Sequence, residues 1–166
     1  PSFQAEDGIR DEASCLVGSE MCIRDRSQVA CERIILTFPA LQDVIQVANT
    51  VFDQNPIAPM RSRDSLLITH SAINHSLDRL VCLTADMDVR NTWSERLDED
   101  LANKDELIAF IMASARKRNH DGIILFSSTS YENIARTVRA IRNNHLSEDQ
   151  IDLFGRLVQQ ESTAQT

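Results

Sequence analysis

Downstream of residue 32, apolar positions fall into short β-branched runs separated by stretches of helical spacing. Arg33 to Phe38 (RIILTF) reads as a strand. Pro39 lacks the N–H a ladder needs but has the φ of a first helical turn, so it opens a helix. Leu41, Val44, Ile45, Ala48, Val51 and Phe52 recur at helical spacing and predict that helix over 40–53. Two prolines make 55–63 (NPIAPMRSR) a loop. Ser65 to Thr69 (SLLIT) is the next strand, a short helix or turn spans 71–78, and Leu80 to Thr84 (LVCLT) reads as a third strand. The polar stretch 86–103 reads as irregular, with one helical turn near Trp93 to Leu97.

The second half is more regular. Leu107, Ile108, Ile111, Met112 and Ala115 place one apolar stripe on a helix over 104–119, with Arg116, Lys117 and Arg118 in its last turn, where the macrodipole favours cations. Asp121-Gly122 punctuates, Gly122 to Ser127 (GIILFS) is a fourth strand, and Tyr131, Ile134, Ala135, Val138 and Ile141 mark the next helix. Ser147 and Gln150 have capping-box spacing, and Leu146 with Ile151 forms a hydrophobic staple, which together start a terminal helix running to about Gln160. Ile34-Ile35-Leu36 and Ile123-Ile124-Leu125 each precede a hydroxyl-bearing turn and a helix, a weak internal similarity that generic β-α units also produce. Strands alternating with helices predict an α/β fold with a mostly parallel sheet and covering helices.

The first 26 residues change the picture. Gln4 to Asp11 (QAEDGIRD) resembles the translation of a sequencing flow-cell primer, and Leu16 to Arg26 (LVGSEMCIRDR) resembles a translated transposase mosaic-end adapter, with an index-sized gap at Glu12 to Cys15 between them. The resemblance implies that residues 1–26 are adapter-derived, disordered or non-native. It further implies that the remainder is an internal or C-terminal fragment of a longer parent whose N-terminal portion is missing. The division expected on this reading is 1–26 as read-through, 27–103 as the end of a first α/β lobe, and 104–166 as the start of a second lobe with C-terminal helices.

Of the 17 basic and 25 acidic residues, three and six respectively lie in 1–26, which leaves 14 basic, 19 acidic and a net charge of −5. Such a chain has no global attraction for nucleic acid or an anionic membrane. No apolar run reaches the roughly 18 residues that cross a bilayer, so a soluble, intracellular protein without a membrane partner is expected. Outside the adapter-like segment only Cys31 and Cys82 remain, which read as buried reduced thiols. His70 and His75 lie five apart, about 140° around a helix, and do not form a two-histidine metal face. Neither a metal site nor a catalytic residue is expected.

Ligands of open α/β sheets bind beyond the carboxyl ends of the strands. The predicted ends here carry Thr37-Phe38-Pro39, Thr69-His70-Ser71, Thr84-Ala85-Asp86 and Ser127-Ser128-Thr129-Ser130. Hydroxyls in these places either donate to phosphate or cap helices. In this order the segments resemble the motor core of helicases with two RecA-like domains. Arg33 to Phe52 is similar to a strand, Thr-x-Pro turn and helix that touch the nucleic-acid backbone, and Ser65 to Ala72 (SLLITHSA) to a Thr-Thr-His segment. Leu80 to Asp86 (LVCLTAD) is similar to the Ser/Thr-Ala-Thr segment that couples the lobes, and Gly122 to Ser130 to the start of the second lobe. A narrower likeness is to viral origin-binding helicases, which have Asp-Ala-Asp-Leu where Thr84-Ala85-Asp86-Met87 stands.

The resemblance implies a fragment of a nucleic-acid-dependent ATPase. Thr37, Thr69, His70, Ser127 and Ser128 would contact the backbone, and Thr84 with Asp86 would couple the lobes. Arg116, Lys117, Arg118, Arg136 and Arg139 would form a basic patch for phosphates. ATP and magnesium are implied for the parent only. A Gly-rich phosphate loop is absent and Asp78 is a poor substitute for the magnesium carboxylate, so the fragment by itself would not hydrolyse ATP. The alternative from another class is a non-catalytic α/β binding or interaction module. Trp93, flanked by Arg90 and Arg96, reads as a partly buried core residue before a base-stacking one. SLLITHSAINHSL is similar to the second histidine segment of histidine phosphatases, but the Arg-His-Gly partner is missing.

Overall fold

The structure is a computed structural model in which residues 22–25, 36–37, 43–52, 65–126, 128–143 and 145–164 are described. Its strands are β1 (Cys22–Asp25), β2 (Val44–Ala48), β3 (Leu66–His70) and β4 (Ile123–Ile124), and its helices α1 (Asn74–Leu83), α2 (Met87–Leu97), α3 (Lys104–Arg118), α4 (Tyr131–Arg142) and α5 (Glu148–Ala164). All strand pairs are parallel, in the order β1-β2-β3-β4. The α/β class and the parallel sheet expected from the sequence are therefore present. β1 comes from the segment that resembles adapter read-through and pairs with β2 through Cys22↔Val44 to Asp25↔Val47.

Four local expectations are corrected. The predicted 40–53 helix contains β2 instead, because Val44, Ile45 and Val47 are β-branched and their alternation buries Ile45 and Val47 while Val44, Gln46 and Ala48 stay half-exposed. In so short an apolar run, spacing that fits a helical stripe also fits a pleat, and β-branching decides. The predicted strand at 33–38 has helical backbone at Leu36 and Thr37, and its other positions lie outside the described residues. The predicted strand at 80–84 is the second half of α1. Leu80 and Leu83 are buried there, Val81 is the one β-branched residue of its helical positions 80–83, and the hydroxyl of the cap residue Thr84 donates back to the Leu80 carbonyl at 2.9 Å. The stretch read as irregular, 86–103, contains α2, whose signal was weak because just Trp93 and Leu97 are buried on it.

The second half follows the sequence closely. α3 begins at an Asn103 cap that accepts from Asp105 N, and it ends in Arg116, Lys117 and Arg118. It is buried on more than the expected stripe, since Ala109, Phe110 and Ala113 are inside as well, which is what a central helix requires. β4 is shorter than predicted, with two residues. The capping box of α5 is formed: Gln150 N donates to Ser147 Oγ at 3.2 Å, Ser147 N donates to Gln150 Oε1 at 2.9 Å, and Leu146 and Ile151 are both buried. Gln150 Nε2 also donates to the Leu97 carbonyl at 2.7 Å, which ties α5 to the end of α2.

One apolar cluster runs from Val51 through α1, α2 and α3 to Val158, across the expected lobe boundary at 103/104. At its centre Phe110 stacks on Phe154 (4.7 Å between centroids, 24°), and Trp93 meets Phe154 edge-on (6.2 Å, 87°). Trp93 is thus a core residue. Cys82 corrects the expectation of buried thiols, since it is a free thiol on the exposed side of α1; Cys31 lies outside the described residues. Among the described residues no helix is long and apolar enough to cross a membrane.

Candidate functional site

Strand order here follows chain order, so every connection between described strands steps the same way. An open sheet makes its ligand crevice where strand order reverses, and no such reversal occurs among β1 to β4. The carboxyl edge of the sheet is formed by Asn49 after β2, by His70 and Ser71 at the end of β3, and by Leu125 after β4. It is pinned from within. Asn49 N donates to the His70 carbonyl at 2.9 Å, Asn49 Nδ2 to the Ala115 carbonyl at 3.1 Å, and Arg118 Nη1 to the Thr50 carbonyl at 2.6 Å. Ser71 sits in the left-handed region (φ 62°) with its Oγ 2.8 Å from His70 Nδ1.

The hydroxyls expected to contact phosphate have different surroundings among the described residues. Thr69 is fully buried, and its Oγ1 accepts from Asn119 Nδ2 at 3.1 Å. The same amide nitrogen donates to the Ile123 carbonyl at 3.1 Å and reaches the Leu67 carbonyl at 3.4 Å, so Asn119, just past α3, joins β3 to β4. Thr37 is exposed on helical backbone. Thr84 closes α1, and Asp86 caps α2 by accepting from Asp88 N and Val89 N. Ser128 Oγ accepts from Ser130 N at 3.1 Å, and Ser130 caps α4; Ser127 lies outside the described residues. Thr84, Asp86 and Ser130 thus perform the helix-end role that Ser, Thr and Asp commonly have.

The basic residues are divided by the fold. Lys117 Nζ is 2.7 Å from both Glu148 and Asp152, and these hydrogen-bonded carboxylates hold its pKa above the ordinary lysine value. Arg118 is engaged by Thr50, and Arg136 pairs with Asp105 at 2.9 Å and Glu132 at 3.6 Å. Arg116 lines a cavity of about 250 Å³ between α3, β4 and α4 with His120, Asn119, Met112, Gly122 and Ile141. Arg139 lines another, of about 280 Å³, with Asn103, Glu106, Arg136, Asn143 and His145.

The second cavity adjoins a group that the sequence reading missed. Glu99 from the α2–α3 link, Glu106 on α3 and His145 from the α4–α5 link bring one ligand atom each to within 4.8 Å of one another. His145 Nε2 is 3.0 Å from Glu99 Oε1 and 3.3 Å from Glu106 Oε2. These residues lie in three separate segments with no motif spacing, so only chain packing brings them together. Around β4 and the start of α4, Ile123, Leu125, Tyr131 and Ile134 are exposed apolar side chains. No protein-family model, curated protein or solved structure matches this chain.

Proposed function

We propose that this chain acts as a non-catalytic α/β interaction module whose contact face is the β4 edge and the first turn of α4. The observation that carries this reading is the complete burial of Thr69 with its hydroxyl held by Asn119. A hydroxyl so committed serves the sheet and cannot meet an external phosphate without opening the core. The contact face is supported by the last strand of the described sheet, where Ile123 and Leu125 are exposed, as are Tyr131 (86 %) and Ile134 on the helix that follows. Exposed apolar side chains at a sheet edge are a common basis for protein contact.

A second reading, the nucleic-acid-contacting fragment of a helicase-type ATPase, draws support from Arg116 and Arg139, which each line a cavity. Fluorescence anisotropy with labelled single-stranded DNA and RNA at about 50 and 200 mM salt separates the two. The module reading expects no salt-dependent binding. An affinity that falls steeply with salt, as counterion release demands, and that is lost on Arg116→Ala with Arg139→Ala, overturns it in favour of the second.

A further inference from the structure

His145 Nδ1 lies 3.3 Å from the Asn143 carbonyl oxygen. A carbonyl can only accept, so in the tautomer that donates to it Nδ1 carries the proton and the Nε2 of the neutral ring is a bare lone pair. That lone pair faces Glu99 Oε1 at 3.0 Å and Glu106 Oε2 at 3.3 Å. Three electron-pair donors converge on a partly exposed site, an arrangement that suits a positive centre.

A second proton on the imidazole answers the need incompletely. It points along one line, and Glu99 is the nearer partner. Glu106 Oε2 is shielded from solvent, on a side chain that is 22 % exposed, and its 3.3 Å contact with the ring lacks the geometry of a hydrogen bond. A buried carboxylate oxygen left in that state is costly. A metal ion would serve all three donors at once. Nitrogen and oxygen ligands stand about 2.0–2.2 Å from zinc. At bond angles between roughly 90° and 109° their mutual separation is then about 3.0–3.4 Å, the separation His145 Nε2 has from each carboxylate, while the two carboxylate oxygens lie within 4.8 Å of each other and would draw together on the ion. The Nδ1 bond to a backbone carbonyl is the outer contact that orients a metal-binding histidine.

We propose that Glu99, Glu106 and His145 form a zinc site, with two carboxylates balancing the ion's charge. Three protein ligands leave a fourth position. Glu106 and His145 line the 280 Å³ cavity shared with Asn103, Asn143 and Arg139, which has room for a water or a small anionic ligand there.

The test is isothermal titration of the chelator-treated full chain with zinc chloride, paired with thermal unfolding and with cobalt(II) absorption. One equivalent should bind, raise Tm by linkage, and give a cobalt spectrum without thiolate charge transfer. Glu106→Gln, which keeps shape, and His145→Ala should each weaken binding at least about 100-fold, beyond what loss of an orienting contact costs, while Cys82→Ser leaves it unchanged. If His145→Ala fails to fold, as judged by Trp93 fluorescence, Glu106→Gln alone decides. Absence of zinc binding by the parent chain, leaving a simple imidazolium ion pair, overturns the proposal. So does binding that survives Glu106→Gln, or that shows thiolate bands from any of the four cysteines.

Discussion

Replacing Asn119 tests whether its amide is the joint between α3 and the sheet. The residue is 3 % exposed, and its two N–H groups face three acceptors: Thr69 Oγ1 and the Ile123 carbonyl at 3.1 Å, and the Leu67 carbonyl at 3.4 Å. The two short contacts are full hydrogen bonds and the third is shared. Asn119→Ala removes the donors and strands two acceptors, each costing about 1–3 kcal/mol. Part of this is offset because Asn119 Oδ1 is itself buried without a partner. A net loss of about 2–3 kcal/mol is expected, equivalent to roughly 4–12 °C in Tm for a chain of this size. Asn119→Asp adds a sign. Its ionised oxygen would face three acceptors, whereas the protonated acid can still donate, so the folded-state pKa is raised above the unfolded value of about 3.9. The variant's deficit relative to the parent should be smallest below about pH 4 and grow as pH rises through the folded pKa. Urea unfolding followed by Trp93, the chain's single tryptophan and a buried one, reads both effects. A loss under about 0.5 kcal/mol for Asn119→Ala, or a pH-independent deficit for Asn119→Asp, would refute the reasoning.

Gly122→Ala should destabilise by about 1–3 kcal/mol, because a Cβ there would collide with the Leu67 backbone oxygen and the Asn119 side chain; parent-like urea midpoints would contradict this. Phe154→Ala removes the ring shared by Phe110 and Trp93 and should cost about 3–5 kcal/mol, with a shifted Trp93 emission as the second readout. Lys117→Ala should cost no more than about 1 kcal/mol, since these are solvent-facing pairs. Because the Lys117 pKa is raised in the fold, the contribution is present below the ordinary lysine range and vanishes as pH climbs through the folded value. A parent-minus-variant difference that grows in alkali would have the wrong sign. Cys82 should react with a maleimide in the native state at a rate near that of a free thiol, and protection until unfolding would contradict its exposure on α1.

Local chemistry alone determined the elements whose signals agree with one another. α3 has its cap at Asn103, its apolar run and its basic last turn; α5 has the Ser147 and Gln150 box with its staple; β3 has a short apolar run ending at a strand boundary. Those devices act within a few residues, so they are visible without the rest of the chain. Tertiary structure decided the ambiguous runs. Val44–Ala48 fits either period until β3 offers it a ladder, and Leu80–Leu83 becomes helix because α1 can bury Leu80 and Leu83 against the core. The same division holds for the site. Sequence could name the hydroxyl-bearing turns, but burial and partners put Thr69 inside the sheet and turned Thr84, Asp86 and Ser130 into helix ends. Glu99, Glu106 and His145 meet only because α2, α3, α4 and α5 pack as they do, since a contact between distant segments depends on the whole core's geometry and leaves no periodic trace along the chain.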